Sequence, residues 1–336
     1  MNILITGGTG FIGSHTALAF LNTGHDVCII DNLSNSQKGV IEKLQAISLK
    51  KIDFQEIDLC NKEMTEQFFQ ERSIDGVIHF AGLKAVAESV KYPLDYFKNN
   101  IIGTINLLDT MKKNNINKFI FSSSATVYGD PIYLPMDEKH PTSSMNPYGR
   151  TKLHLEEIIH DISISDPEFF SICLRYFNPI GAHESGVIGE NPLGTPNNLM
   201  PYILQVAANK FKKLKVYGDD YETDDGTGVR DYIHVQDIAF GHLSAFEFLL
   251  NKKPSKNFEV FNLGTGKGTS VLEIIKKFES ITNIKIPFEV TSRRPGDIAS
   301  SFADTKKANI ELNWYAKLSL EEMIASSWNF YQKLLK

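Results

Sequence analysis

Short runs of consecutive apolar and β-branched residues alternate with amphipathic stretches through the first half of the chain. The runs at 3–6, 27–31, 52–56, 77–80, 119–122 and 172–176 predict strands, with helices between them. Continuously apolar strands separated by helices predict a parallel sheet covered on both faces. Right-handed crossovers turn such a series into a doubly wound sheet of the Rossmann kind. From Asn178 the pattern breaks. Pro179, Gly181, Gly186, Gly189, Pro192, Gly194 and Pro196 punctuate a long loop region, and 217–230 is rich in Asp and Gly. Long irregular segments are usually functional, so these predict a substrate lobe above the strand ends. The stretches 233–250 and 260–263 return to the sheet pattern. The expected organisation is an α/β chain with a dinucleotide-binding domain (1–177 plus 233–263) and a smaller, discontinuous α/β substrate-binding lobe (178–232 plus 264–336).

The glycines at the chain's start sharpen this picture. Ile3-Leu4-Ile5-Thr6 runs into Gly7-Gly8-Thr9-Gly10-Phe11-Ile12-Gly13, a strand entering a glycine turn and then a helix. Glycines allow a sharp turn and close approach to a pyrophosphate, and the helix N-terminus offers free N–H groups with a partial positive charge. Asp31 ends the second strand, at the distance where a carboxylate accepts hydrogen bonds from an adenosine ribose. A carboxylate there repels a 2′-phosphate, so NAD is expected over NADP.

The bulk composition excludes more than it selects. Hydrophobic residues are 42% of 336, enough for a buried core. The formal net charge is −5 and no basic run stands out, which argues against nucleic acid as partner. Residues 1–24 lack charged Asp, Glu, Lys and Arg side chains, but the interrupting glycines suit a phosphate loop rather than a signal or spanning segment. Cys28, Cys60 and Cys173 form no C-x-x-C pair, so no metal site or redox motif is expected. They read as reduced packing residues of a cytoplasmic protein without membrane attachment.

The catalytic candidates follow the fifth predicted strand. Ser122-Ser123-Ser124-Ala125-Thr126 leaves the strand end, and Pro147-Tyr148-Gly149-Arg150-Thr151-Lys152 follows with Pro147 as a helix-start signal. Tyr148 and Lys152 are i and i+4 on one helical face. An ammonium beside a tyrosine favours the phenolate and makes it a usable base near neutral pH. Ser124, at the strand end, is placed to hydrogen-bond the same substrate oxygen.

These motifs resemble those of the extended short-chain dehydrogenase/reductases, and among them the UDP-glucose 4-epimerases, over essentially the whole chain. The matching stretches are 7–13, 31–36, 80–84, Asn99, 122–129, 148–152, 175–183, 197–201, 226–235 and 293–297. The resemblance implies that Phe11, Ile12, Asp31, Asn32, Leu33, Ser34, Asn35, Ser36, Asp58, Leu59, Phe80, Ala81, Gly82, Leu83, Lys84, Asn99 and Phe177 line an NAD site. It implies that Ser124, Tyr148 and Lys152 are catalytic, with Lys152 also on the nicotinamide ribose. Asn178, Asn198, Leu199, Tyr217, Arg230, Arg293 and Asp297 would hold a UDP-sugar, and guanidinium groups at Arg230 and Arg293 suit phosphate oxygens. The implied reaction inverts the sugar at C4 through a transient 4-keto intermediate.

Two rivals are weighed against this. A nucleotide-sugar 4,6-dehydratase needs an added acid and base, typically Asp-Glu after the strand-end Thr or Ser, where this chain has Ala125-Thr126. A non-catalytic NAD-sensing module typically loses the Tyr and Lys that this chain keeps. Two helical stripes suggest a homodimer, as in similar epimerases: Phe97, Ile101, Ile105 and Leu108, and Leu153, Leu155, Ile158, Ile159 and Ile162. Ser301 matches a sugar-pocket position that is a bulky Tyr in relatives restricted to plain sugars. A small residue there implies room for UDP-GlcNAc and UDP-GalNAc.

Overall fold

The structure, a computed structural model, describes residues 1–194, 196–251, 256–294 and 296–336. The apolar runs form strands: β1 (Asn2–Thr6), β2 (Asp26–Asp31), β3 (Asp53–Glu56), β4 (Gly76–His79), β5 (Lys118–Ser124) and β6 (Phe170–Tyr176). They pair in parallel in the order β3-β2-β1-β4-β5-β6, and Phe258–Leu263 adds a parallel strand outside β6. The order reverses between β1 and β4, which opens a crevice at their C-terminal ends, the usual ligand site of such sheets.

Alternation along β1 explains why both faces are covered. Ile3 and Ile5 join a cluster with Phe20, Ile29, Phe246 and Phe261. Leu4 points to the other face with Val77, Phe119, Leu155 and Cys173. Helix α1 (Phe11–Asn22) packs on the first face together with the Val235–Asn251 helix. All three cysteines are free; Cys28 and Cys173 are buried packing residues as expected, whereas Cys60 is exposed. Among the described residues, no helix is long and apolar enough to cross a membrane.

The second lobe has its own small core. Helices Leu199–Ala207, Val271–Thr282 and Leu320–Leu334 enclose Met200, Ile203, Ile274, Phe278 and Ile324. The latter two helices start with reciprocal capping boxes, Ser270 with Glu273 and Ser319 with Glu322. Short ladders carry the site segments: Val229–Arg230 lies between Thr269–Ser270 and Ser300–Ser301, and Tyr232–His234 pairs with Asn178–Ile180. The buried Asp231 carboxylate ties these pieces together. It accepts from the Thr265 N–H and hydroxyl (2.8 and 2.6 Å), the Gly266 N–H (3.0 Å) and the Ala303 N–H (3.2 Å). The tail of the lobe does not stay within it. Ala308, Leu312 and Trp314 pack into the sheet-domain cluster, and the Trp314 indole donates to the Asp237 carbonyl (2.9 Å).

Candidate active site

The glycine turn is required by space. Gly7 has φ +66, and a Cβ there would meet the Ala81 nitrogen at 2.7 Å; one on Gly13 would meet the Gly7 carbonyl at 2.4 Å. The turn therefore lies close against both the 80–84 segment and the start of α1. Gly10 is the N-cap of α1, with no side-chain cap and no acidic residue in the first turn. The first-turn N–H groups are thus open toward an anion. Asp31, at the end of β2, accepts from the Thr9 N–H (3.2 Å), the Leu33 N–H (2.9 Å) and the Ser36 hydroxyl (3.1 Å). These donors hold its carboxylate at the cleft rim. A cradle of glycine backbone with a fixed carboxylate one strand away fits the pyrophosphate and adenosine ribose of a dinucleotide.

Most of the expected cofactor residues line one continuous cleft. Gly7, Gly10, Phe11, Ile12 and Gly13 line it, together with Asp31, Asn32, Ser34, Asn35, Ser36, Asp58 and Leu59. Phe80, Ala81, Gly82, Leu83, Lys84 and Asn99 line it as well, with Tyr148 and Lys152. Leu33 adopts φ +55 beside Asp31, and Ser124 and Phe177 sit beyond the cleft proper. The loop at 187–192 and Phe330 also line the cleft. Sequence reading missed them because the Gly186 and Gly189 loop signals a turn but carries no information about which lobe it faces.

Pro147 starts the Pro147–Ser165 helix, and Asn146 caps it by accepting from the Gly149 N–H (2.9 Å). The helix presents Tyr148 to the strand end of β5, with Ser124 as its hydroxyl partner. Ser124 accepts from the Thr126 N–H (3.2 Å) and the Thr126 hydroxyl (3.0 Å). Its own O–H is left to donate toward Tyr148 or a substrate oxygen. One turn along, Lys152 is 5% exposed and donates to the Ser122 carbonyl (2.7 Å). Burial pushes the Lys152 ammonium down to about 8, with Cys173 and Glu156 pulling the other way. Glu156, another turn along, is held by Ser123 and by the buried Arg175 guanidinium.

Burial also raises the Tyr148 pKa, and the Ser124 hydrogen bond opposes it. The i, i+4 spacing predicts that Lys152 lowers it. In the protein alone that ammonium is spent on Ser122, and burial sets the balance.

The substrate candidates converge from four separate segments. Asn178 is held by its N–H on the Asp231 carbonyl (2.9 Å). Asn198 is the N-cap of the Leu199–Ala207 helix, but its side chain makes no capping bond. Arg230 reaches Asp297 (3.5 Å), and Ser301 pairs with Arg230 in the short ladder. Ser301 is small and 7% exposed. Phe177 and Ala303 share an apolar cluster with Val127 and Met136, which sets the 301–303 segment across from the β5 strand end. Of the 293–297 stretch, Pro295 lies outside the described residues. Arg293 turns to Asp220 (2.7 Å) and the Tyr221 ring (4.1 Å). Arg294 instead lies over the Tyr217 ring (4.0 Å) and beside Asp297 (4.0 Å). The sequence motif offered two adjacent arginines, and only the backbone turn separates their directions.

A dinucleotide cleft at the sheet's switch point, lined by Tyr148 and Lys152 and with Ser124 beside Tyr148, defines an NAD-dependent enzyme of the short-chain dehydrogenase/reductase type. A family profile described as GDP-mannose 4,6 dehydratase matches residues 4–327. The UDP-glucose 4-epimerase of Bacillus subtilis is 52% identical over 98% of this chain and 96% of its own. The crystal structure of UDP-glucose 4-epimerase from Stenotrophomonas maltophila, with bound NAD and formylated UDP-arabinopyranose, has a TM-score of 0.97 at 46% identity, covering 100% of this chain and 99% of that one. That of Bifidobacterium longum, in complex with NAD+ and UDP, has a TM-score of 0.95 at 49% identity, covering 99% and 98%. This chain belongs to the UDP-glucose 4-epimerase family.

Proposed function

We propose that the chain interconverts UDP-glucose and UDP-galactose with a retained NAD. The observation that carries this reading is the position of Tyr148, which lines the dinucleotide cleft while facing Ser124 at the β5 strand end. When bound, the nicotinamide supplies acceptance and return of a hydride at sugar C4. Tyr148 takes the C4 hydroxyl proton and later returns it, so the sugar ends inverted without net oxidation. Ser124 donates to the same oxygen and orients it. Lys152 keeps a positive charge beneath the pair at neutral pH, because its lowered pKa still lies near 8.

The uridine diphosphate end is held away from the chemistry. Arg230, Arg294 and the uncapped Leu199–Ala207 helix start supply cations and free N–H groups for phosphates, with the Tyr217 ring beside them. The geometry favours Arg294 over Arg293 for this task. The sugar end meets apolar walls and the small Ser301, where an intermediate can turn over. The 4,6-dehydratase reading lacks its acid–base pair at Ala125-Thr126. Purified protein given UDP-galactose without added cofactor should form UDP-glucose; no conversion would overturn the reading.

Ser301 supports a broader range that includes UDP-GlcNAc and UDP-GalNAc, since it leaves volume where a larger side chain would crowd a turning 2-acetamido group. We also propose a homodimer in the cytoplasm. The two helical stripes divide: Leu108, Leu155 and Ile159 are core, Phe97, Ile101, Leu153, Ile158 and Ile162 are half-buried, and Ile105 (46% exposed) faces outward, with Leu94 and Ile164 exposed nearby in the chain. Ile105, Leu108, Ile158 and Ile162 line an apolar groove between the two helices, which suits pairing with a second copy. Light scattering showing monomer alone at micromolar concentration would reject the dimer.

A further inference from the structure

Glu190 has no place in the motifs read from sequence, yet it stands between the two ligand ends. Its side chain is 10% exposed, and one oxygen, Oε1, takes both the Lys84 ammonium (3.6 Å) and the Asn198 amide (2.8 Å). Lys84 belongs to the cofactor segment, whose neighbour Leu83 is fixed by its N–H on the Asn100 amide oxygen (2.8 Å). Asn198 is the N-cap of the Leu199–Ala207 helix, whose start is proposed above to bind the substrate phosphates.

A carboxylate in a cleft meant for two diphosphates is costly unless it is occupied with donors. Its backbone is held for that purpose. Ala182 bridges Gly189, and the His183 N–H donates to the Ile188 carbonyl (3.1 Å). A Cβ on Gly189 would meet the Phe330 ring at 2.6 Å, so the loop lies flat on the Leu320–Leu334 helix. The bond to Glu190 is donated by the Asn198 Nδ2 and fixes the direction of this amide, whose oxygen makes no capping bond. Asn at an N-cap ordinarily accepts from its own helix; here the amide is turned to Glu190, and the helix N–H groups stay open for an anion.

We propose that Glu190 is a positioning residue that couples the two halves of the site. It holds Lys84 toward the cofactor and fixes the direction of the Asn198 amide, so that the UDP-sugar and the dinucleotide are bound in register. The inference rests on the UDP-sugar reading above. It assigns Glu190 an effect on binding rather than on the proton-transfer step.

The test uses purified full-length protein with its resident cofactor, UDP-galactose as substrate and UDP as binding probe. Glu190→Ala should raise the KM for UDP-galactose about tenfold and weaken UDP to a similar degree, with kcat within about threefold, because uniform binding is lost without loss at the transition state. Glu190→Gln keeps an acceptor for Asn198 and should fall between Glu190→Ala and the wild type. Lys84→Met should weaken UDP less in the Glu190→Ala background than in the wild type, since a coupled pair is not additive. An unchanged KM in both Glu190 variants, additive Lys84 and Glu190 effects, or loss of active protein at unchanged KM would overturn the proposal. If the wild type itself neither converts UDP-galactose nor binds UDP, the function reading fails instead. Glu190→Gln keeps the test open if Glu190→Ala does not fold.

Discussion

The dinucleotide half and the substrate half of the site are built by different rules. The first is a short contiguous turn whose shape is forced by backbone contact: a Cβ at Gly7 or Gly13 would collide with neighbouring main chain. Its polar groups are fixed by local bonds, as Asp31 is by Thr9, Leu33 and Ser36. The second is a convergence of distant loops, joined by two-residue ladders and the single Asp231 carboxylate. Its charged groups satisfy one another, Arg230 with Asp297 and Arg293 with Asp220, while Glu190 reaches from Asn198 across to Lys84 of the cofactor segment. A preformed cradle suits a cofactor that stays bound. A set of exchangeable ion pairs suits a ligand that arrives, turns over and leaves.

The largest expected effect separates chemistry from either half. Tyr148→Phe deletes one hydroxyl from a helix face that is otherwise unchanged. Activity on UDP-galactose should fall by about 10²–10⁴-fold, the usual contribution of a general base. Cofactor content, read by absorbance after denaturation, should stay near the wild-type level. Near-normal turnover would remove Tyr148 from the reaction.

Lys152→Met gives the next effect, and its sign depends on pH. With the pKa lowered to about 8 by burial, the wild-type lysine is cationic at pH 7 and loses its charge above pH 8. In the protein alone this ammonium is bonded to the Ser122 carbonyl; once substrate and cofactor fill the cleft it is the cation one helical turn from Tyr148, and removing it at pH 7 removes that support for the phenolate. A nearby opposite charge is worth about 1–3 pKa units, so the rate should drop about 10- to 10³-fold there. The gap between variant and wild type should narrow as pH rises past 8, where both lack the charge. A constant ratio from pH 6 to 9 would show that Lys152 acts only through contacts.

The same contrast explains what was legible in the sequence. The strands, the glycine turn and Asp31 were readable because each rests on local constraint: apolar period, required turn geometry and a strand end. Tyr148 and Lys152 were readable because helix geometry fixes i and i+4. The substrate half was readable only by resemblance. Asn178, Asn198, Arg230 and Ser301 meet through tertiary pairing that no local pattern encodes. Glu190 and Phe330 escaped notice altogether, because a loop's facing is set by what it lands on, here the Leu320–Leu334 helix. The Lys306–Glu311 helix was assigned to the lobe by its place in the chain, yet the burial of Ala308 draws it to the sheet.

The adjacent arginines test the substrate half alone. Arg294 lies over Tyr217 beside Asp297, while Arg293 is tied to Asp220 at the surface. A hydrogen bond to a charged group contributes about 1.5–3 kcal/mol, so Arg294→Ala should raise the KM for UDP-galactose about ten- to hundredfold. Arg293→Ala should change it by no more than about twofold, as expected for an exposed ion pair. If the two variants behave in the reverse order, the assignment of the phosphate cation returns to Arg293.

The smallest expected effect concerns the sugar wall. Ser301 is 7% exposed and sits beside Arg230 in the short ladder, opposite the strand end that carries Ser124. Replacing it with Tyr adds a ring where the sugar must turn. Overpacking costs about 1–3 kcal/mol, and a 2-acetamido group sweeps more volume than a hydroxyl. Ser301→Tyr should therefore lower kcat/KM for UDP-GlcNAc about tenfold or more while changing that for UDP-galactose by less than about threefold. The wild type should convert both pairs. Because Ser301 is not among the residues that line the cofactor cleft, cofactor content should not change, which keeps the effect within the substrate half. A wild type that consumes UDP-galactose but leaves UDP-GlcNAc untouched would show that another side chain already fills the space Ser301 leaves. An equal loss on both substrates in Ser301→Tyr would show that the ring disturbs the ladder to Arg230 rather than the sugar pocket.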